Sequence, residues 1–276
     1  MEQAKEWANS GLRLALATVV ETWGSSPCPA GSQMVINSEA GFAGSVSGGC
    51  IETSVVSESL ELLKEGRFEV ADYGVSGEVS YAAGLACGGT IKVMMEPLDT
   101  VLLEALLGPR PAMRVVDLDT GNWALICNGR VEGELTLRDE LYGTVAEAQS
   151  GERASIVETE GKRLFLQPLV PAYRLIIIGA VRISQALAPM AAEAGFDVTV
   201  IDPRRAFSTK ERFPDIKLVR EWPNEVLPDL GLDTHTAVVT LTHDAKPDDM
   251  ALGLALRSDA FYVGEKKKKK THAARV

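Results

Sequence analysis

The chain has 276 residues, 46% hydrophobic and 24% charged, a profile that fits packed globular structure with room for two domains and excludes a disordered chain. Its net charge of −10 argues against a general nucleic-acid binder, and the positive charge that stands out is the run Lys266 to Lys270. Cys28, Cys50, Cys87 and Cys127 are too irregularly spaced for a disulfide framework.

Met1 to Gly11 reads as a short amphipathic helix, and LRLALATVVET (Leu12 to Thr22) as a strand rich in apolar and β-branched residues. No basic segment leads into an apolar core at the N-terminus, so no secretion signal is expected. Trp23 to Ser32 is a loop punctuated by two prolines and two glycines. Two strands with a turn near Ser38 to Gly41 follow, and then a helix from Ile51 to Glu65, with Val55, Leu62 and Leu63 at helical spacing and Gly66 as its stop. RFEVADYG and TIKVMMEPL read as strands. Between Asp99 and Leu169 the pattern gives a short helix, VLLEALL, and hairpin strands in which Cys127 reads as a buried core residue.

From Tyr173 the character changes. YRLIIIG is a continuous apolar strand, as in a parallel sheet covered on both faces. A helix (Ile183 to Ala194) follows, then DVTVID, KLVR, TAVVTLTH and AFYVG as strands with helical connections. The expected fold is α/β: an N-terminal mixed α+β domain over residues 1–170, followed by a C-terminal Rossmann-type parallel-sheet domain over 171–276. Its glycine fingerprint falls on Gly179, Val181 and Ser184, so only the first glycine is present. Asp202 follows Gly179 by 23 residues, which suits a ribose hydroxyl contact; a cap or turn before Pro203 is the alternative. His243 and Asp244 fall at the carboxyl end of a strand, where such sheets bind ligands, or else form a turn and cap the next helix. No apolar stretch is long enough to span a bilayer, and a cytoplasmic protein is expected.

The chemistry concentrates in two stretches, SVSGGCIE (Ser45 to Glu52) and GLACGGTI (Gly84 to Ile91). Gly48, Gly49, Gly88 and Gly89 carry no Cβ, so backbone can approach a ligand closely or take a positive φ beside Cys50 and Cys87. Glu52 opens a helical run whose first N–H groups suit phosphate or another anion and would stabilise a nearby thiolate. The alternative is that each cysteine is a small buried hydrophobe at a tight turn. Neither cysteine belongs to a CxxC pair, so a structural zinc site is not expected.

The chain resembles the XdhC/CoxI family, accessory factors that mature xanthine dehydrogenase and related molybdenum hydroxylases. The matching pieces are Val19 to Ile36, Gly44 to Glu52, Gly84 to Leu98, Leu175 to Ala188, Val198 to Arg204 and Thr242 to Asp249. The resemblance implies a protein that binds molybdenum cofactor (molybdopterin), helps it become sulfurated, protects it and delivers it to an apo molybdenum hydroxylase. It places Cys50 and Cys87 at the molybdenum or its sulfur, for which a soft thiolate is suited. Gly48, Gly49, Glu52, Gly88, Gly89, Gly179, Asp202, His243 and Asp244 complete the expected cofactor-binding set. The sequence departs from the family at Val181, at Glu265 and the lysines after Gly264, and at its end at Val276, which would leave the second sheet truncated without a sixth strand.

Three readings follow. The first is a non-catalytic chaperone for molybdenum cofactor, expected as a homodimer. The second is an NAD(P)-dependent oxidoreductase using Asp202 and His243. The third is a thiol-based sulfur carrier that would take a persulfide on Cys50 or Cys87 from a cysteine desulfurase as partner.

Overall fold

The structure, a computed structural model, describes residues 1–24, 26–74, 89–137, 143, 145, 153–159, 161–242 and 244–266. By internal contacts the chain divides into two compact units, Met1–Val170 and Pro171–Val276.

The first unit is built on two five-stranded antiparallel sheets. One contains β1 (Leu14–Trp23), β2 (Gln33–Asn37), β3 (Phe42–Gly44), β4 (Glu69–Gly74) and β5 (Thr90–Pro97) in the order β3-β2-β1-β5-β4. The other contains β6 (Ala112–Asp117), β7 (Trp123–Cys127), β8 (Arg130–Gly133), β9 (Ser155–Thr159) and β10 (Lys162–Leu169) in the order β8-β7-β6-β10-β9. β1 is covered on both faces, which is why its sequence is nearly continuous in apolar residues. Leu14, Leu16 and Val20 face the second sheet, in one cluster with Val116, Leu125 and Phe165. Ala15, Ala17 and Val19 face α2 (Glu52–Glu65), whose Val55, Leu62 and Leu63 close a second cluster. Each buried Val, Leu or Phe side chain among them stabilises the unit by about 1.5–3 kcal/mol. Gly66 ends α2 in the left-handed region (φ 67°), where its N–H reaches the Leu62 carbonyl. Two further helices, α1 (Glu2–Asn9) and α3 (Thr100–Leu107), border the sheet-to-sheet core.

Strand register decides where the loops fall. Trp23 pairs with Thr90 and Thr90 with Gly74, while Gln33 pairs with Thr18 and Gly44 with Met34. The exits of β1, β3 and β4 and the start of β5 therefore lie at one end of the first sheet. Loops 24–32 and 45–51 both leave from that end.

The second unit is a parallel sheet of β11 (Arg174–Ile178), β12 (Asp197–Ile201), β13 (Lys217–Val219), β14 (Thr236–Thr240) and β15 (Tyr262–Glu265), ordered β13-β12-β11-β14-β15. Leu175, Ile177, Val198 and Val200 pack beneath α4 (Arg182–Glu193) on one face. Ile176, Ile178 and Val238 pack beneath α5 (Pro223–Leu230) and α6 (Ala245–Ala255) on the other. The run LIII in β11 is thus apolar on every residue because helices cover both faces. The expected Rossmann-type arrangement is present, and the strand order reverses between β11 and β14, placing a crevice at the carboxyl ends of the strands.

Candidate functional site

The loop at Ser45–Ile51 is organised by an internal carboxylate. Glu52 begins α2, yet its side chain turns back into the loop and is only 6% exposed. Its Oε1 accepts from the Ser45 hydroxyl (2.6 Å), the Val46 N–H (3.3 Å) and the Ser47 N–H (2.9 Å). Its Oε2 accepts from the Ser47 hydroxyl (2.5 Å) and the Gly49 N–H (2.9 Å). Burial alone would raise the pKa of this carboxyl, but the Ser45 and Ser47 hydrogen bonds outweigh it and lower the value to about 2. Glu52 thus takes N–H groups of the loop before α2, at Val46, Ser47 and Gly49, and not those of the first helical turn that the sequence offers to a phosphate.

The hydroxyls do double duty. Ser47 Oγ accepts from the N–H groups of Cys50 and Ile51 (3.0 Å each), capping the entry to α2. Ser45 Oγ accepts from the Gly48 N–H (2.8 Å). Gly48 (φ 76°) and Gly49 (φ 114°) take conformations that side chains resist, and a Cβ on Gly48 would press against Pro27 Cγ at 3.3 Å. Around Gly49 the space is open, and Cys50 is exposed. The alternative of Cys50 as a buried hydrophobe is not what the structure shows.

Sequence reasoning missed Cys28, Ser45 and Ser47. Half-buried Cys28 sits in loop 24–32 with its Sγ 3.8 Å from Ser45 Oγ. With Pro27 against Gly48, the two loops form one surface bearing two thiols. The SxS spacing ahead of the glycines was the available signal for the serines. Gly89 is buried immediately before β5. Cys87, Gly88 and His243 lie outside the described residues.

In the second unit the expected residues bond to one another and to the backbone around them. Asp202 is buried at the end of β12, and Arg204 donates to both its oxygens, through Nε (2.9 Å) and Nη2 (2.7 Å). The Ala180 N–H, next to Gly179, also donates to Asp202 (2.8 Å). Burial would raise the Asp202 pKa, but Arg204 and these N–H groups lower it overall. Asp202 is thus engaged with the protein itself and not held free for a ribose. Gly179 (φ 107°) lies against Thr242, where a Cβ would meet the Thr242 Cγ2 at 2.5 Å. Ser184 turns its hydroxyl to the Gly179 carbonyl (2.5 Å). Asp244 caps α6, accepting from the Lys246 N–H (3.1 Å). Asp202, Arg204, Thr242 and Asp244 border, with Trp222 and Pro247, a crevice of about 180 Å³. That is below the roughly 300–1,000 Å³ of ordinary ligand pockets.

Cys127, read as core, is half-buried instead. It ends β7 beside the Asn128 turn (φ 49°), facing the carbonyls of Pro109 and Pro111 (3.6 Å each) at the wall of a cavity of about 550 Å³. Among the described residues no group of three or more His, Cys, Asp or Glu is arranged to hold a metal ion. No helix among them is long and apolar enough to cross a membrane.

For molybdenum cofactor the fit is divided. The exposed thiol of Cys50 and the open space over Gly49 suit the metal or its sulfur. The phosphate does not fit the Ser45–Ile51 loop, whose N–H donors from Val46 to Ile51 are held by Glu52, Ser45 and Ser47.

Residues 7–74 match the XdhC and CoxI family, and residues 175–276 match the XdhC Rossmann domain. The chain is 28% identical to the molybdenum cofactor insertion chaperone PaoD of Escherichia coli, over 99% of this chain and 73% of that protein. It is 25% identical to a probable xanthine dehydrogenase subunit of Bacillus subtilis, over 90% of this chain and 78% of that one. A crystal structure titled as a xanthine dehydrogenase from Bacillus halodurans aligns with a TM-score of 0.79 and 26% identity, covering 97% of this chain and 82% of that chain.

Proposed function

The chain belongs to the XdhC and CoxI family, and from that premise we propose that it is an accessory protein that carries molybdenum cofactor to an apo molybdenum hydroxylase. The observation that carries this reading is Cys50: an exposed thiol beside two glycines, on a loop whose shape Glu52 fixes from within. An exposed soft donor on a pre-shaped loop binds a metal centre and its sulfur at little cost in ordering. The similarity to a molybdenum cofactor insertion chaperone supports the same assignment.

In this reading Cys50 holds the molybdenum or its sulfur, and Cys28 stands beside it on the neighbouring loop. Cys87 stays in the proposal on its sequence motif alone. Glu52 shapes the loop and does not touch the cofactor. Support for sulfuration, with a cysteine desulfurase as sulfur source, rests on the thiol chemistry of Cys50 and on the family resemblance. A homodimer in the cytoplasm is the expected form.

The NAD(P)-dependent oxidoreductase reading is less well supported, because Asp202 is bonded to Arg204 and Ala180 and the adjoining crevice is small.

The test is transfer. Protein isolated from cells that make molybdenum cofactor is mixed with an apo molybdenum hydroxylase, and the activity that appears is followed. Activation by the wild type and not by Cys50→Ala is expected. Equal activation by both removes Cys50 from the proposal, and none by either removes the carrier function.

A further inference from the structure

Among the described residues of the first unit, Ser59, Arg114 and Gln167 are buried with unmet hydrogen-bonding capacity, and the last two are neighbours. Arg114 on β6 and Gln167 on β10 face each other across the ladder, so both leave the same face of the second sheet. That face meets the first sheet in a core that is otherwise apolar: Ala112, Val116 and Phe165 lie beside Leu16, Val20 and Met94. Arg114 is 0% exposed and Gln167 3%.

Arg114 reaches across to Glu96 on β5, where Nη2 donates to both carboxylate oxygens (2.7 Å each). Its Nε and Nη1 find no acceptor among the described residues. Gln167 Nε2 donates to the Gly31 carbonyl (3.2 Å). That contact fixes the amide, since a flip would set oxygen against oxygen. Gln167 Oε1 is left without a donor among the described residues. Donors and an acceptor unmet side by side in an apolar interior are strongly unfavourable. One water molecule accepts and donates at once, and buried waters sit at places of this kind.

We infer that an internal water bridges the Arg114 guanidinium to Gln167 Oε1, and that Gln167, so held, is a positioning residue for the Cys28 loop. Gly31 is three residues beyond Cys28, and its N–H is bound in turn to the Val19 carbonyl (2.7 Å). Gln167 thus ties the loop to the second sheet, while Ser45 and Pro27 tie it to the Cys50 loop. The relevance of this anchor to cofactor carriage rests on the function proposed above; the water and the anchor themselves do not.

Two measurements on the full chain test it. A crystal structure that resolves ordered waters is expected to show density within hydrogen-bonding distance of both Arg114 and Gln167 Oε1; no density there overturns the water, whether or not any variant folds. Labelling with N-ethylmaleimide, read by peptide mass spectrometry, tests the anchor in Gln167→Met, with a cooperative melt confirming that the variant folds. Loss of the bond to Gly31 is expected to raise Cys28 labelling about fivefold, the effect of one hydrogen bond on a local opening equilibrium. Cys50 and Cys127 are expected to label as in the wild type. Unchanged Cys28 labelling overturns the positioning role, as does an equal rise at Cys127, which would mean general loosening. Neither readout involves molybdenum cofactor, so failure of the carrier function and failure of this inference are distinguishable.

Discussion

The carboxylate of Glu52 accepts both the hydroxyl and the N–H of Ser47, at 2.5 and 2.9 Å, from five residues further along the chain. A helix N-terminus ordinarily attracts an external anion or a capping side chain. Here the first residue of α2 supplies the anion and folds the preceding loop over itself. The glycines and Cys50 are presented outward as a result.

Replacing Glu52 by Gln puts an amide N–H₂ where an acceptor is needed for Gly49 or for the serines. The expected loss of stability is on the order of 2–3 kcal/mol, measured by urea denaturation. A change below about 0.5 kcal/mol, the range of inert surface substitutions, would show that the loop does not depend on this carboxylate.

The same group sets an acid limit. Its folded pKa of about 2 lies below the ordinary carboxylate value, so its contribution is fully present above the unfolded pKa and is lost as pH falls toward 2. That contribution is on the order of 3 kcal/mol. The stability gap between wild type and Glu52→Gln is therefore expected to be constant near neutrality and to close between about pH 4.5 and pH 2. A gap independent of pH would mean that Glu52 is not charged in the fold.

Gly179→Ala tests the second unit. With φ at 107° and Thr242 Cγ2 at 2.5 Å from the added Cβ, the substitution meets backbone strain and a steric clash together. A cost of about 2–4 kcal/mol is expected, read as a lowered melting temperature. Unchanged stability would contradict this packing and reopen Gly179 as a glycine kept for ligand approach.

Nicotinamide cofactors are expected to leave the melting temperature unchanged, because Arg204 and the Ala180 N–H occupy the carboxylate of Asp202 and the crevice measures about 180 Å³. A saturable upward shift with NADH or NADPH would favour the oxidoreductase reading, since ligand binding to the native state raises stability by mass action.

Much of the fold is legible in the sequence where a side-chain pattern has one structural solution. LIII in β11 is apolar at every position because helices cover both faces, and Val55, Leu62, Leu63 and Gly66 mark one face of α2 and its end. Which strands pair is less legible: β1 lies between β2 and β5, and nothing in the local alternation of β5 names that neighbour. The site was readable in part. The glycines beside Cys50 predict positive φ, and both have it. The direction of Glu52 was not readable, because an acidic residue in a first helical turn equally complements the helix dipole from outside. Asp202 stands at the spacing of a ribose ligand, but Arg204, two residues on, neutralises it; that arginine was visible in IDPRR. Cys127 ends an apolar strand, and only the turn at Asn128 brings it to the surface.

The most direct measurement is the pterin and molybdenum content of the protein purified from cells that make molybdenum cofactor, beside Cys50→Ala prepared in the same way. Cofactor in the wild type and its loss in a folded Cys50→Ala protein is the predicted result. Equal cofactor in both would contradict the place given to Cys50, and none in the wild type would contradict the carrier function itself.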